Sequence, residues 1–309
     1  MDAILTAFES VLPLFLVIFT GMLFSKRGIA TVQWVDVLNK YALLIGFPAL
    51  VIVSLLQLDT ELKHYVPLIL INSAHIVVSM FLVYPVAWIF KLSKKMKQAL
   101  LLIFPFGNIA YLGIPVLENA YGSEILPVAA ILSSVYVFWM LTLALTLIEL
   151  DEDNGVHPGS LIMSLLKNPL LISVFIGIII VSFKISVPTI LDTTLQFFSQ
   201  SVTAIVLFSL GIFLGMQRVG DINEWKKVAL CSTTTMVILP GLFYIFLQYT
   251  GLPLEEMKAS VVDAAMPLGL TPYALAVQYN LKSGFFARSV VFSTLISIVI
   301  LPGWLYFLG

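Results

Sequence analysis

The sequence predicts an all-α membrane protein of ten transmembrane helices, arranged as two five-helix halves of opposite polarity. Three observations predict it. Of 309 residues, 60% are hydrophobic and only 11% are charged, against roughly 45–50% and about 25% in an ordinary soluble domain. The apolar residues form continuous runs instead of alternating with polar ones, which selects helices over barrel strands. An acidic stretch near 149–165, with Glu149, Asp151, Glu152 and Asp153, divides those runs into two sets of five. So much apolar surface cannot be hidden in a soluble fold of this size, which excludes a soluble enzyme, a secreted module and a disordered chain. Net charge is −1, and no basic-aromatic stretch marks a nucleic-acid partner. The single cysteine, Cys231, lies in an apolar run and cannot form an intrachain disulfide; it reads as filler between helices before it reads as a reactive thiol.

A crossing takes about 20 apolar residues, which places spans near 4–24, 35–56, 65–90, 98–118, 125–148, 166–183, 193–216, 228–249, 258–279 and 285–307. Span 1 is preceded by Asp2 and Glu9 and followed by Lys26 and Arg27. That polarity is opposite to a signal peptide and predicts a retained first span with the N-terminus outside. Alternation through the later spans puts 13 of the 16 basic residues on one side, leaving Lys63, Lys184 and Lys258 on the other. By the positive-inside rule the richer side is cytoplasmic and both termini lie outside. Residues 1–150 then form the first five-helix repeat, 151–165 a cytoplasmic linker, and 166–309 the second repeat. An odd number of spans per half inverts one half relative to the other, as in many secondary transporters. Met96-Lys97 at the start of span 4 and Met257-Lys258 at the start of span 9 form a loose internal match, which chance also accounts for.

Spans 4 and 9 share a sharper feature. Span 4 carries Pro105, Gly107, Asn108, Gly113 and Pro115; span 9 carries Pro267, Gly269, Thr271 and Pro272. Proline removes a backbone donor and clashes with the preceding turn, and glycine weakens the helix further. The N–H and C=O groups so released must face protein or a polar cavity. One such break is an ordinary kink, the reading given to Pro48, Pro85 and Pro240. Two breaks at corresponding places in two halves point to a transport site. A half-helix N-terminus carries partial positive charge and holds carboxylates. No Lys or Arg is expected deep in any span, so these ends are the principal anion holders.

At these motifs the sequence resembles the auxin efflux carrier family, which includes plant auxin exporters and many prokaryotic transporters. The segment Asn108-Ile-Ala-Tyr-Leu-Gly113-Ile-Pro115 resembles that family's fourth-helix motif. The segment from Ala264 through Pro267, Gly269 and Pro272 to Gln278-Tyr279-Asn280 resembles its ninth-helix motif. Phe47-Pro48-Ala49-Leu50 is similar to a weaker signature. The resemblance implies inverted five-helix repeats related to bile acid:sodium symporters, with helices 4 and 9 crossing near the bilayer centre. It also implies elevator-type alternating access and a homodimer. The linker is short, as in prokaryotic members. Where plant members carry an acid and a lysine in span 3, this chain has Asn72 and His75, which puts a plant-like charge mechanism in doubt.

The expected substrate-binding residues are Asn108, Tyr111, Gly113 and Pro115 from span 4, Ser133 and Tyr136 from span 5, and Pro267, Gly269, Thr271 and Pro272 from span 9. Serines also serve helix packing, so Ser133 and Ser134 have a second reading. Asp263, about five residues into span 9 and roughly 7–8 Å below its start, is a candidate for carrying H⁺ or Na⁺; a wetted vestibule or an ion pair with Lys258 accounts for it equally. His75 and Asn72, three residues apart on span 3, are further ion-coupling candidates, or simply hydrogen-bond partners of each other.

The expectation is a secondary transporter in the plasma (inner) membrane, moving a small organic anion and contacting lipid and no nucleic acid. No cofactor or metal is expected beyond H⁺ or Na⁺ as a coupling ion. No phosphate-binding P-loop is present, and neither His-Glu-x-x-His nor paired deep acids supply an enzyme site. The alternative is a passive channel or pore, for which filter loops or charge rings are lacking.

Overall fold

The computed structural model describes residues 2–57, 62–151, 159, 162–163, 166–217 and 222–309. Among these the chain is all-helical, and the one piece of strand-like pairing is a single bridge between Gly107 and Leu268. Among the described residues seven helices are long and apolar enough to cross a membrane. They are α1 (Ile4–Lys26, within the helix Asp2–Lys26), α2 (Val32–Leu56), α3 (Lys63–Ile89), α6 (Ser123–Ile148), α8 (Thr189–Met216), α9 (Glu224–Leu247) and α12 (Ser283–Leu308). Each coincides with an expected span to within about four residues at either end.

The other three expected spans look different. Span 6 is α7 (Pro169–Ser182), only 14 residues long, or about 21 Å at 1.5 Å per residue, against a hydrocarbon core of about 30 Å. Spans 4 and 9 are each two helices: α4 (Lys94–Ile103) and α5 (Ile114–Tyr121), then α10 (Leu254–Ala264) and α11 (Leu270–Gln278). The chain stops being α-helical where the proline–glycine clusters fall. Most of the linker expected over 151–165 lies outside the described residues.

Not every proline breaks its helix. Pro48, Pro115 and Pro240 each follow a five-residue π-helical turn by two positions: Ala42–Gly46, Ile109–Gly113 and Thr234–Ile238. A proline ring pushes away the carbonyl one turn earlier and offers it no N–H. Widening that turn by one residue lets the carbonyls find other donors without breaking the helix, which is why π turns sit at such points. Pro48 and Pro240 therefore leave α2 and α9 continuous.

Helices α1 and α8 pack along their lengths, with Gly21 and Gly211 at the closest approach. A Cβ on Gly21 would meet the Phe208 carbonyl oxygen, and one on Gly211 would fall on the Ile18 carbonyl oxygen. Small residues that let backbones touch are how helices associate when lipid is as apolar as they are. The main buried core runs from α1 and α2 through α4, α5 and α6 to α12, enclosing both interrupted helices.

Candidate functional site

The two interruptions meet. Gly107 pairs with Leu268 in an antiparallel bridge, and the Asn108 N–H donates to the Pro267 carbonyl at 2.6 Å. Each break thus supplies a partner for backbone groups the other has released, which answers the requirement that none face lipid. The approach demands glycine. A Cβ on Gly107 would lie 2.8 Å from Met266 Cβ and 2.9 Å from its carbonyl oxygen; one on Gly269 would lie 3.2 Å from Asn108 Cα. The Leu268 N–H is taken by Ser293 Oγ of α12 at 3.0 Å. Past the junction, the Asn108 carbonyl accepts from the Leu112 and Gly113 amides, both at 3.0 Å, starting the π turn that leads into α5. Pro115 then falls in the first turn of α5. Pro272 falls in the first turn of α11, where a missing N–H costs nothing.

A cavity of about 50 Å³ opens beside this junction. Seven of the ten expected substrate residues line it: Asn108, Tyr111, Ser133, Tyr136, Gly269, Thr271 and Pro272. Gly113, Pro115 and Pro267 do not; they shape the backbone around it. Asn108 Nδ2, Ser133 Oγ and Tyr136 OH are buried and have no hydrogen-bond partner among the described residues. Ser134, by contrast, bonds the Ala130 carbonyl of its own helix at 2.7 Å, so the packing reading holds for it. Tyr111 sits edge-on to Phe47 with ring centroids 5.3 Å apart, and Tyr136 edge-on to Phe106 at 6.4 Å. No Lys, Arg, Asp or Glu lines the cavity. The amides at the start of α11, with Gly269 as an N-cap that makes no side-chain cap, stand at its edge. The lining is rich in hydrogen-bonding groups and poor in charge.

Asp263 is fully buried, and neither carboxylate oxygen has a partner among the described residues. It lies against Gly113, where a Cβ would come 2.7 Å from Oδ1. Because α10 starts at Leu254, Asp263 is nine residues in, about 13 Å along the axis, deeper than the five residues expected for a span starting near 258. Lys258 does not pair with it. The Lys258 ammonium donates to the Gly309 carbonyl at 2.9 Å and sits 3.7 Å from Glu255, which removes the ion-pair reading of Asp263. Nor do Asn72 and His75 pair. Asn72 Nδ2 donates to Ser260 Oγ and to the Leu68 carbonyl, each at 2.9 Å, tying α3 to the turn of α10 just before Asp263. The His75 ring stacks on Phe243 with centroids 4.0 Å apart. Neither residue lines the cavity.

Sequence reasoning missed Ser293, which holds the second break in place. Its signal was present as buried Ser289, Ser293 and Ser297 at four-residue spacing on α12. Phe106, Ile109, Ala110, Val137 and Met140, which with Gly107 make up the rest of the cavity wall, carry no sequence signal beyond being apolar.

A buried junction of two interrupted helices inside a bundle of apolar helices fits a membrane transport protein, and comparison with known families gives that class. The model of the family described as "Membrane transport protein" matches residues 6–305, and the chain belongs to this family, that of the auxin efflux carriers. It is accordingly an integral membrane protein and a transporter, not an enzyme. The chain is 25% identical over 219 residues to an uncharacterized transporter of Methanocaldococcus jannaschii, covering 70% of each. It is 26% identical over 157 residues to auxin efflux carrier component 7 of Arabidopsis thaliana, and 28% over 189 residues to component 6. These matches take in 47% and 59% of this chain but only 24% and 30% of the plant proteins.

Proposed function

We propose that this protein is a secondary transporter of a small organic anion, a carboxylate of auxin-like or simpler kind, with its substrate site at the junction of the two interrupted helices. The observation that carries the reading is the convergence of Asn108 Nδ2, Ser133 Oγ and Tyr136 OH, three buried donors without partners, on one cavity edged by the start of α11. Leaving such groups unsatisfied costs about 1–3 kcal/mol each, a cost a bound carboxylate would recover. The plant relatives named as auxin efflux carriers support the choice of an organic acid.

The cavity holds about 50 Å³, a third of the ~150 Å³ that accommodates benzene in an engineered protein cavity. Substrate therefore enters only when the junction is uncovered, which favours alternating access over an open pore. In this reading the seven long helices, α7 and the two interrupted pairs are the ten spans of two inverted five-helix repeats. Spans 4 and 9 cross at Gly107 and Leu268, and the helices around the junction move as an elevator against the rest. Asp263, one residue pair away through Gly113, is the ion-coupling group, taking H⁺ or Na⁺ as the substrate site loads. Purified protein in proteoliposomes should show saturable uptake of labelled carboxylates and counterflow driven by unlabelled substrate. Linear, unsaturable flux or single-channel currents would replace this reading with a pore.

A further inference from the structure

A second and larger cavity lies away from the junction, at the end of the bundle where Lys91, Lys227 and Lys282 come together. It is a trench of about 700 Å³ between α3, α4, α9 and α12, within the ~300–1,000 Å³ range of small-molecule sites. Three exposed lysines stand on its rim: Lys91 just past the end of α3, Lys227 in α9 and Lys282 immediately before α12. None of the three makes a hydrogen bond or an ion pair among the described residues, and no acidic side chain among those residues lines the trench. Ser93 and Lys282, also on the rim, are the N-cap residues of α4 and α12, and neither caps its helix with a side-chain bond. Two helix N-termini thus add their partial positive charge to the three ammonium groups.

Below the rim the walls are apolar, with Leu82 and Val86 from α3, Leu100 from α4, and Leu230 and Leu239 from α9. Leu82 is nine residues from Lys91 and Leu239 twelve from Lys227, so at 1.5 Å per residue the walls run about 13–18 Å inward from the charges. Half of a ~30 Å hydrocarbon core is about 15 Å. The trench therefore has a cationic mouth at headgroup level and an apolar shaft about one leaflet deep.

We propose that this trench binds an acidic phospholipid from the leaflet at that end, its headgroup phosphate among Lys91, Lys227 and Lys282 and one acyl chain along the shaft. A soluble anion would leave the shaft empty, and a zwitterionic lipid would leave the lysines without net countercharge. The bound lipid would bridge α3 and α4 from the first half of the chain to α9 and α12 from the second. This inference needs only that the protein is membrane-embedded and stands apart from the choice of transport substrate.

Native mass spectrometry of delipidated protein titrated with phosphatidylglycerol and with phosphatidylcholine of matched chains tests it. Phosphatidylglycerol should bind at least about tenfold more tightly. A lysine near a membrane surface contributes about 1 kcal/mol, or about fivefold, so Lys91→Gln, Lys227→Gln and Lys282→Gln together should lower retention on the order of a hundredfold. Each single substitution should lower it about fivefold, which keeps the measurement decisive if the triple variant does not fold. Leu230→Trp, which fills the shaft and keeps the charges, should also weaken binding. A charge-matched control, Lys26→Gln with Arg27→Gln and Lys40→Gln, should leave it unchanged. Equal binding of the two lipids, or equal loss in the control, would overturn the proposal. So would competition by tail-free glycerol phosphate as effective as the lipid itself, which would make the site one for soluble phosphate.

Discussion

The amide of Asn108 donates to the carbonyl of Pro267 at 2.6 Å, and this one bond joins residues 159 positions apart through the interrupted stretches of two helices. It engages the Asn108 backbone and leaves the side-chain amide nitrogen buried and free. The residue divides its work: the main chain holds the junction, and the side chain faces the cavity.

That division makes Asn108→Ala a clean probe. The substitution removes no side-chain bond among the described residues, so thermal stability should change by less than about 1 kcal/mol. A hydrogen bond to a charged group contributes about 1.5–3 kcal/mol, so carboxylate affinity should fall about 10- to 150-fold. Equilibrium binding of a labelled substrate measures this directly, and unchanged affinity would take Asn108 out of the site. Tyr136→Phe, which deletes only the unpartnered hydroxyl, should behave in the same way.

Gly107→Ala should act through the junction itself. Its new Cβ would fall within 3 Å of Met266 Cβ and the Met266 carbonyl oxygen, and backbone cannot yield as a side chain can. Overpacking of this kind costs about 1–3 kcal/mol. A lowered unfolding temperature together with loss of transport is expected. Gly303→Ala in α12 is the comparison, since nothing lies within 4 Å of its Cβ position; it should be neutral or slightly stabilising. Equal behaviour of the two variants would show that the junction tolerates separation.

Ser293→Ala tests the support beneath the second break. Leu268 N–H is bonded to Ser293 Oγ in a fully buried setting, and its loss leaves an orphan donor at a cost of about 1–3 kcal/mol. Ser289→Ala is the control, because the Ser289 hydroxyl has no partner among the described residues. Differential scanning fluorimetry should find Ser293→Ala clearly less stable than Ser289→Ala. No difference would mean that Leu268 finds another acceptor.

Much of this was legible from residue order because bilayer physics acts locally. Continuous apolar runs place helices such as Val32–Leu56 and Ser283–Leu308 to within a few residues. Paired prolines and glycines mark both interruptions, since backbone chemistry alone breaks a helix there. Pro48 and Pro240 read only as kinks, and their accommodation by π turns depends on the carbonyls one turn back, whereas Pro85 sits inside the α-helical run of α3. What resisted reading was tertiary. Asn72 was matched with His75 on its own helix face, but its amide bonds Ser260 across 188 residues. Lys258 was matched with Asp263, five residues on, but it reaches Gly309. Ser293 carries no signal of its own along the chain beyond the serine spacing, because only the fold brings Leu268 to it. Local spacing proposes partners along one helix, and packing between helices decides among them.

Asp263 gives the last prediction. A carboxylate with no partner among the described residues, fully buried and about 13 Å along α10, is costly to keep. Asp263→Asn keeps the size and removes the ionisable group, so folding stability should hold or rise. If Asp263 takes up H⁺ or Na⁺ with substrate, the variant should still bind carboxylate but lose the dependence of transport on the gradient of that ion. Uptake into proteoliposomes with imposed pH or Na⁺ gradients separates the outcomes. Transport that responds to both gradients as the wild type does would leave Asp263 without a coupling role and return it to packing against Gly113. A sharp fall in stability would point instead to a cation or water held in the native protein, since only a partnered carboxylate is missed when it is removed.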